Sequence, residues 1–322
     1  MAKAKEIDGL DCEAGAVEGI QLVLRSRFDE MYAFRAAALF FEDPKGVHDM
    51  RVASRRLRSL VKDFSPYFRR NRRFQHAKDG LKRIAEALGS VRDEDVAIAA
   101  LEGLAAKAPP ETAAGIKPLV EQRRLKQESA RAELKEALTE TALEELREEF
   151  NALLEQGLKA PQSRKENGEN QEAADNVSFR QAGREVIAAG LDELQDLSAS
   201  LYRPFKTKRL HRMRLAAKRL RYDLELFAPC WSEPLRDFAK EIAKLQTSLG
   251  DLHDCDVWIA QIGTSLRDSG TKPAGTQSPE RSAAVLLLDY FVKERAENFS
   301  AALTRWREWE MTGFMARLQD LV

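Results

Sequence analysis

Residues 47–64 read VHDMRVASRRLRSLVKDF, and the spacing of their apolar and charged positions decides the fold. On a helix advancing about 100° per residue, with His48 as zero, Arg51, Arg55, Arg58 and Lys62 lie within about 80° on one side and Lys45 about 60° on the other. Met50, Ala53, Leu57, Leu60, Val61 and Phe64 fall opposite, between roughly 120° and 220°, the stripe a surface helix turns toward a core. One face is cationic and the other apolar.

The pattern returns as LHRMRLAAKRLRYDLELF at 210–227. Aligning 47–68 with 210–231 at an offset of 163 (211 − 48) matches His48 to His211, Met50 to Met213, Arg51 to Arg214, Ala53 to Ala216, Arg56 to Arg219, Leu57 to Leu220, Arg58 to Arg221, Phe64 to Phe227 and Pro66 to Pro229. Arg55 faces the equally cationic Lys218. A second segment follows in order, LGSVRDEDV at 88–96 against LGDLHDCDV at 249–257, offset by 161 (249 − 88). Two segments recurring in order point to an internal duplication. The second cationic face comprises Lys208, His211, Arg214, Lys218 and Arg221, with Glu225 in place of Lys62 and Tyr222 in place of Ser59. Arg83 and Lys244 add a repeated cation from the next helix.

The remaining sequence is consistent with an all-α chain of two helical bundles with long antiparallel helices. Of 322 residues 43% are apolar, only 7% aromatic and 32% charged, a composition of helix formers rather than strand formers. Predicted helices cover about 12–41, 45–66, 69–88, 92–105 and 118–157, then about 178–201, 206–228, 233–249, 254–266 and 281–318. The polar stretch KAPQSRKENGENQEAADN (159–176) is the expected boundary, giving a first bundle at 1–160, a linker at 161–177 and a second bundle at 178–322, together one domain. Gly89 and Gly250 are expected to end helices. Three cysteines, Cys12, Cys230 and Cys255, argue against a disulfide framework or a Cys-based zinc site and suit a reducing cytoplasm. The start lacks the apolar core of a signal peptide, and the run AAVLLL at 283–288 is far shorter than a membrane span, so a cytoplasmic protein without membrane association is expected.

The formal charge is zero, from 52 basic and 52 acidic residues, but it is segregated. Residues 45–83 hold thirteen Lys or Arg against three Asp, and 201–222 hold nine against no acid, while acid gathers at 128–155. Like charges at helical spacing repel, which calls for an anionic partner, whether carboxylates of the chain or a ligand. Single-stranded nucleic acid calls for interleaved aromatics and duplex DNA for a helix built to enter a groove. Neither pattern is visible near the stripe, where Phe64, Tyr67, Phe68, Phe227 and Trp231 read as core. Nucleic acid, or polyanions in general, is the second reading, and a metal-dependent phosphohydrolase the third. No phosphate-cradling loop, nucleophile elbow or paired zinc-binding histidine motif is present, so binding without catalysis is expected, with no cofactor and no metal. His48 and His211 lack a second ligand at i+4, where Val52 and Leu215 stand. Whether these imidazoles touch a ligand or serve the core stays open. So does the role of Asp93, Asp95, Asp254 and Asp256, which either orient the stripe or cap helices.

The doubled pairing of HDMRVASRRLR with LGSVRDEDV, and of HRMRLAAKRLR with LGDLHDCDV, resembles the CHAD family (conserved histidine α-helical domain) over about 10–318, as a stand-alone member. The resemblance implies two pseudo-symmetric helical bundles around a basic groove or pore that binds inorganic polyphosphate, with polyphosphate granules as the place to find it. Carried over residue by residue, it implies a track of Lys45, His48, Arg51, Arg55, Arg58, Lys62, Arg83, Lys208, His211, Arg214, Lys218, Arg221 and Lys244. The sequence departs from strict repetition at His253, which stands where the first copy has Arg92, and at Glu225.

Overall fold

A computed structural model describes residues 5–69, 71–159, 177–231, 233–269 and 279–322. These are α-helices joined by short loops and single 3-10 turns, with no strand among them beyond two isolated bridges. The helices are α1 (Ala16–Ala33), α2 (Arg35–Leu39), α3 (Pro44–Asp63), α4 (Arg72–Ala105), α5 (Pro110–Ala137), α6 (Glu140–Gln156), α7 (Phe179–Leu197), α8 (Thr207–Trp231), α9 (Glu233–Ser269), α10 (Pro279–Thr312) and α11 (Phe314–Leu321).

Several boundaries differ from the expected ones, each for a local reason. Gly89 and Gly250 lie inside α4 and α9, which run on unbroken; with helical neighbours on both sides they do not terminate. Pro118 sits within α5, so the predicted break there narrows to the loop at 106–109. The acidic helix expected over 118–157 divides at Thr139, whose hydroxyl accepts the Ala142 N–H and starts α6. The last helix bends at Gly313, where φ is 62°, a conformation that favours glycine.

The chain forms two compact units, one of Met1–Ala99 with Gln122–Gly183 and the other of Ala100–Glu121 with Arg184–Val322. Residues 100–121, expected with the first bundle, pack in the second unit. There Leu101 and Ile116 join Cys255, Ile262, Ala283, Leu287 and Phe291 in one apolar cluster. Cys255 is a buried thiol, whereas Cys12 and Cys230 are disulfide-bonded, against the expectation of three thiols.

In the first unit α3 packs on α1 and α2, and α6 on α1. Ile20, Val23, Leu24, Phe28 and Met31 of α1 are all buried at the i, i+3, i+4 spacing of one face, and Phe28 stacks on Phe150 of α6 at 4.8 Å. Burial of a ring of this size contributes about 1.5–3 kcal/mol. In the second unit α9 packs along α8 and α10, with Trp258 stacked on Phe291 at 5.2 Å and Phe314 stacked on Trp309 at 4.4 Å. On both basic helices the residues expected in the core are there: Met50, Ala53, Leu57, Leu60 and Val61 on α3 with Phe64 just past its end, and Met213, Ala216, Leu220 and Phe227 on α8.

Candidate anion-binding site

The first cationic face is set in place at the start of α3. Asp43 caps the helix by accepting the Lys45 N–H at 2.9 Å, and Pro44 occupies the first turn, where a missing N–H costs nothing. Gly46 lets α3 cross α2 closely, since a Cβ there would collide with the Ala37 carbonyl. With the apolar face buried, Lys45, Arg58 and Lys62 stand exposed, as does Arg83 of α4, while His48, Arg51 and Arg55 are half-buried. Arg51 reaches across to Asp93 of α4 at 2.9 Å. Its guanidinium crosses Gly89, 3.8 Å from where a Cβ would lie. Gly89 and Asp93 share one face of α4, one turn apart, so the guanidinium passes over the glycine on its way to the carboxylate. Asp93 is itself well exposed, so the pair contributes under about 1 kcal/mol and acts mainly by orienting the guanidinium. Lys45, Arg55, Arg58, Lys62 and Arg83 make no ion pair among the described residues. The Arg55 Nε is buried with no hydrogen-bond partner.

The second face repeats the layout with different outcomes. Lys208 is exposed and unpaired among the described residues; His211, Arg214 and Lys218 are half-buried. Arg214 lies beside Gly250 of α9, its Nε 3.6 Å from a would-be Cβ, as Arg51 lies beside Gly89. Two expected track members are already engaged by acids of the chain. Arg221 is only 4% exposed, lying over the Tyr222 ring at 4.7 Å and 3.7 Å from Glu225. Where α3 has Ser59 and Lys62, α8 has an aromatic and an acid that draw the arginine in. Lys244 is exposed but bonded to Glu241 one turn back, and Glu241 also receives Arg305.

Both histidines are held below the ordinary imidazole pKa. For His48 burial is the largest cause, followed by the Arg92 charge, with Asp49 opposing. His211 is lowered to about 4, by burial first, then by His253, Arg214 and Lys218. The His211 and His253 rings lie 4.1 Å apart, tilted by 43°, and His211 Nδ1 is buried with no hydrogen-bond partner. At neutral pH both imidazoles are therefore uncharged, each offering one N–H to an anion.

The four aspartates divide. Asp93 orients Arg51, as one expectation had it. Asp95 and Asp256 do not serve the stripe: Asp95 accepts from Gln127 of α5 at 2.7 Å and Asp256 from Arg295 of α10 at 2.6 Å. Two residues beyond Asp93 or Asp254 on a helix, they point to another neighbour. Nor do any of the four cap a helix, because α4 and α9 are continuous there. Asp254 is exposed and keeps the Asp251 carboxyl above the ordinary range, second to burial, with Arg214 opposing.

Contacts that the periodicity did not reveal follow the same offset. Arg56 approaches Glu30 of α1 at 3.9 Å, and Arg219 is bonded to Glu193 of α7; both pairs differ by 163 in both members. The carbonyls of Phe41 and Pro204, again 163 apart, precede the basic helices and accept from Arg131 of α5 at 3.4 Å and Arg295 of α10 at 2.6 Å. Extending the alignment upstream from His48 and His211 would have brought Glu30 opposite Glu193. Among the described residues no group of three or more His, Cys, Asp or Glu is placed to hold a metal ion, and no helix is long and apolar enough to cross a membrane.

The arrangement can neutralise and hydrogen-bond an extended anion: guanidinium forks and ammonium groups at one-turn intervals, with a neutral imidazole N–H between them. The chain is similar in structure to the crystal structure of the CHAD domain from the plant Ricinus communis, with a TM-score of 0.70 and 21% identity over 94% of this chain and 95% of that one. It is also similar to PptA from Streptomyces chartreusis, with a TM-score of 0.68 and 14% identity over 91% of this chain and 100% of that one. No curated protein matches the sequence significantly. The CHAD domain family model matches residues 22–263, three-quarters of the chain and both histidine-bearing helices, and by that match this all-α protein belongs to the CHAD family.

Proposed function

We propose that the protein binds inorganic polyphosphate without turning it over, each unit contributing a cationic track. The observation that carries this reading is the set Lys45, Arg58, Lys62 and Arg83, which one helix face and its neighbour expose, with the half-buried Arg55 among them, none making an ion pair among the described residues. In the second unit Lys208, His211, Arg214 and Lys218 form a shorter track; Arg221 and Lys244 are left out because neighbouring acids already engage them. Repulsion among such cations, up to about 4 kcal/mol for a close pair at an effective dielectric near 20, is relieved by an anion of regular charge spacing and no bases. A chain carrying about one negative charge per phosphate meets both demands. Membership of the CHAD family supports the choice over nucleic acid, and a protein that binds this polymer would gather where it is stored, at polyphosphate granules.

Titration with medium-length polyphosphate tests it. Wild type binds with an affinity that grows with chain length and falls steeply with salt, and the double variant Arg55→Glu/Lys218→Glu loses at least tenfold. Binding that the variant leaves unchanged would move the site off these helices. Orthophosphate release in the presence of magnesium or manganese would replace the binding reading with a hydrolytic one.

A further inference from the structure

The two units differ most at the partner of the histidine. We infer that His253 is an anion-binding residue of the second unit, and that it and His211 together take up a proton when a phosphate oxyanion arrives, where the first unit holds the permanent cation Arg92. This rests on the polyphosphate reading and adds to it a site residue and a proton-linked regulation of one track.

Three observations converge. The His211 and His253 rings are in contact at 4.1 Å, close enough that two positive imidazoles would oppose each other while one proton can serve both. The buried Nδ1 of His211 lacks a hydrogen-bond partner, which leaves that ring incompletely satisfied until a proton or ligand reaches it. Cations frame the pair, since Arg214 and Lys218 of α8 both act on His211. Burial first, then His253, Arg214 and Lys218 keep His211 neutral in the empty protein; an incoming anion neutralises the two cations, so that part of the obstacle to protonation falls as the ligand binds.

On α9, Asp251 and Asp254 flank His253, and Arg214 offsets the Asp251 carboxyl. On α10, Arg295 bonds Asp256 at 2.6 Å and Glu294 acts on Cys255; Asp256 lies about 60° and Cys255 about 160° around α9 from His253, so the charged groups on that side nearest the imidazole are the already paired Asp256 and Arg295. In the first unit the corresponding place beside His48 carries Arg92, whose charge acts on the imidazole and does not titrate. One track therefore has fixed charge and the other conditional charge.

Calorimetric titration of the full chain with polyphosphate, in two buffers of different ionisation enthalpy at about pH 5, measures proton uptake directly. Wild type takes up about one proton more per bound chain than His253→Arg, so its affinity falls up to about tenfold more per pH unit between about pH 4 and 6. Arg92→His adds the same dependence to the first unit. Because His253→Arg restores the first unit's own arrangement, it is expected to fold and bind; NMR of the imidazole nitrogens then follows His211 on either background. In wild type the His211 titration moves from about 4 to above 6 with ligand, and in His253→Arg it stays low. Binding with equal proton uptake in both proteins overturns this inference alone. Failure of wild type to bind polyphosphate at any pH overturns the functional reading beneath it.

Discussion

The basic helices α3 and α8 occupy the same register in their units, yet they do different things with the same residue types. Arg58 stands in solvent, whereas Arg221, 163 residues on, lies folded over Tyr222 and beside Glu225. Arg56 approaches Glu30 where both side chains are only 7% exposed, whereas Arg219 meets a Glu193 that is 40% exposed. His48 faces a permanent cation and His211 another imidazole. Two copies of a pattern thus keep their apolar face and diverge in charge, because a core tolerates few alternatives while an exposed cation can be lost, paired or buried at little cost to the fold.

The largest way to break the comparison is at the anchoring pairs. Glu30→Ala leaves Arg56 and Arg27, which bonds Glu30 at 2.6 Å, buried without their acid, and is expected to cost about 3–5 kcal/mol in denaturant unfolding. Glu193→Ala, at the matching but more exposed pair, is expected to cost under about 1 kcal/mol. Equal losses would mean that the two pairs are equally buried in solution. Next come the tracks: Arg55→Glu lowers polyphosphate affinity by about tenfold or more, and Lys218→Glu by less, because Lys218 stands in the shorter track. A reversed order would make the second unit the main binding surface.

Smaller in size is the pH dependence. The folded His211 titrates near 4 and the unfolded one near the ordinary 6.5, so the unfolded chain binds more protons between those values. Stability is therefore full above about pH 6.5 and declines as pH falls toward 4. His211→Asn, which does not titrate, flattens that part of the stability curve relative to wild type. Smallest in energy but simplest to read is the thiol count: denatured, unreduced protein exposes one thiol, Cys255, and full reduction exposes three.

How much of this was legible in the sequence depends on which side of a helix is asked about. The core faces of α3 and α8 could be read from period 3.6 alone, since burial of Met50, Leu57 and Phe64 follows from spacing. The outward cations Lys45, Arg58 and Lys62 followed as its complement. Arg221 did not, because its burial depends on Tyr222 and Glu225 acting together, and pattern assigns it only an angle. Gly89 and Gly250 lie mid-helix rather than at helix ends; a glycine that ends a helix and one that lies inside it beneath a crossing arginine look the same until the second helix is in place. Asp95 and Asp256 were misassigned for a related reason, as a shift of two residues along a helix turns a carboxylate toward a different neighbour. Residues 100–121 went to the other unit because their apolar partners, Ala283 and Leu287, lie far away in the chain.

The central claim is that these faces prefer a phosphate chain to other polyanions, and a competition titration tests it most directly. Labelled long-chain polyphosphate is bound at moderate salt and displaced by unlabelled polyphosphate, RNA, heparin or ATP at equal concentrations of charge. The account predicts that polyphosphate displaces best, that RNA and heparin need several-fold more charge, and that ATP, with too few phosphates to span the track, displaces least. RNA displacing as well as or better than polyphosphate would contradict it.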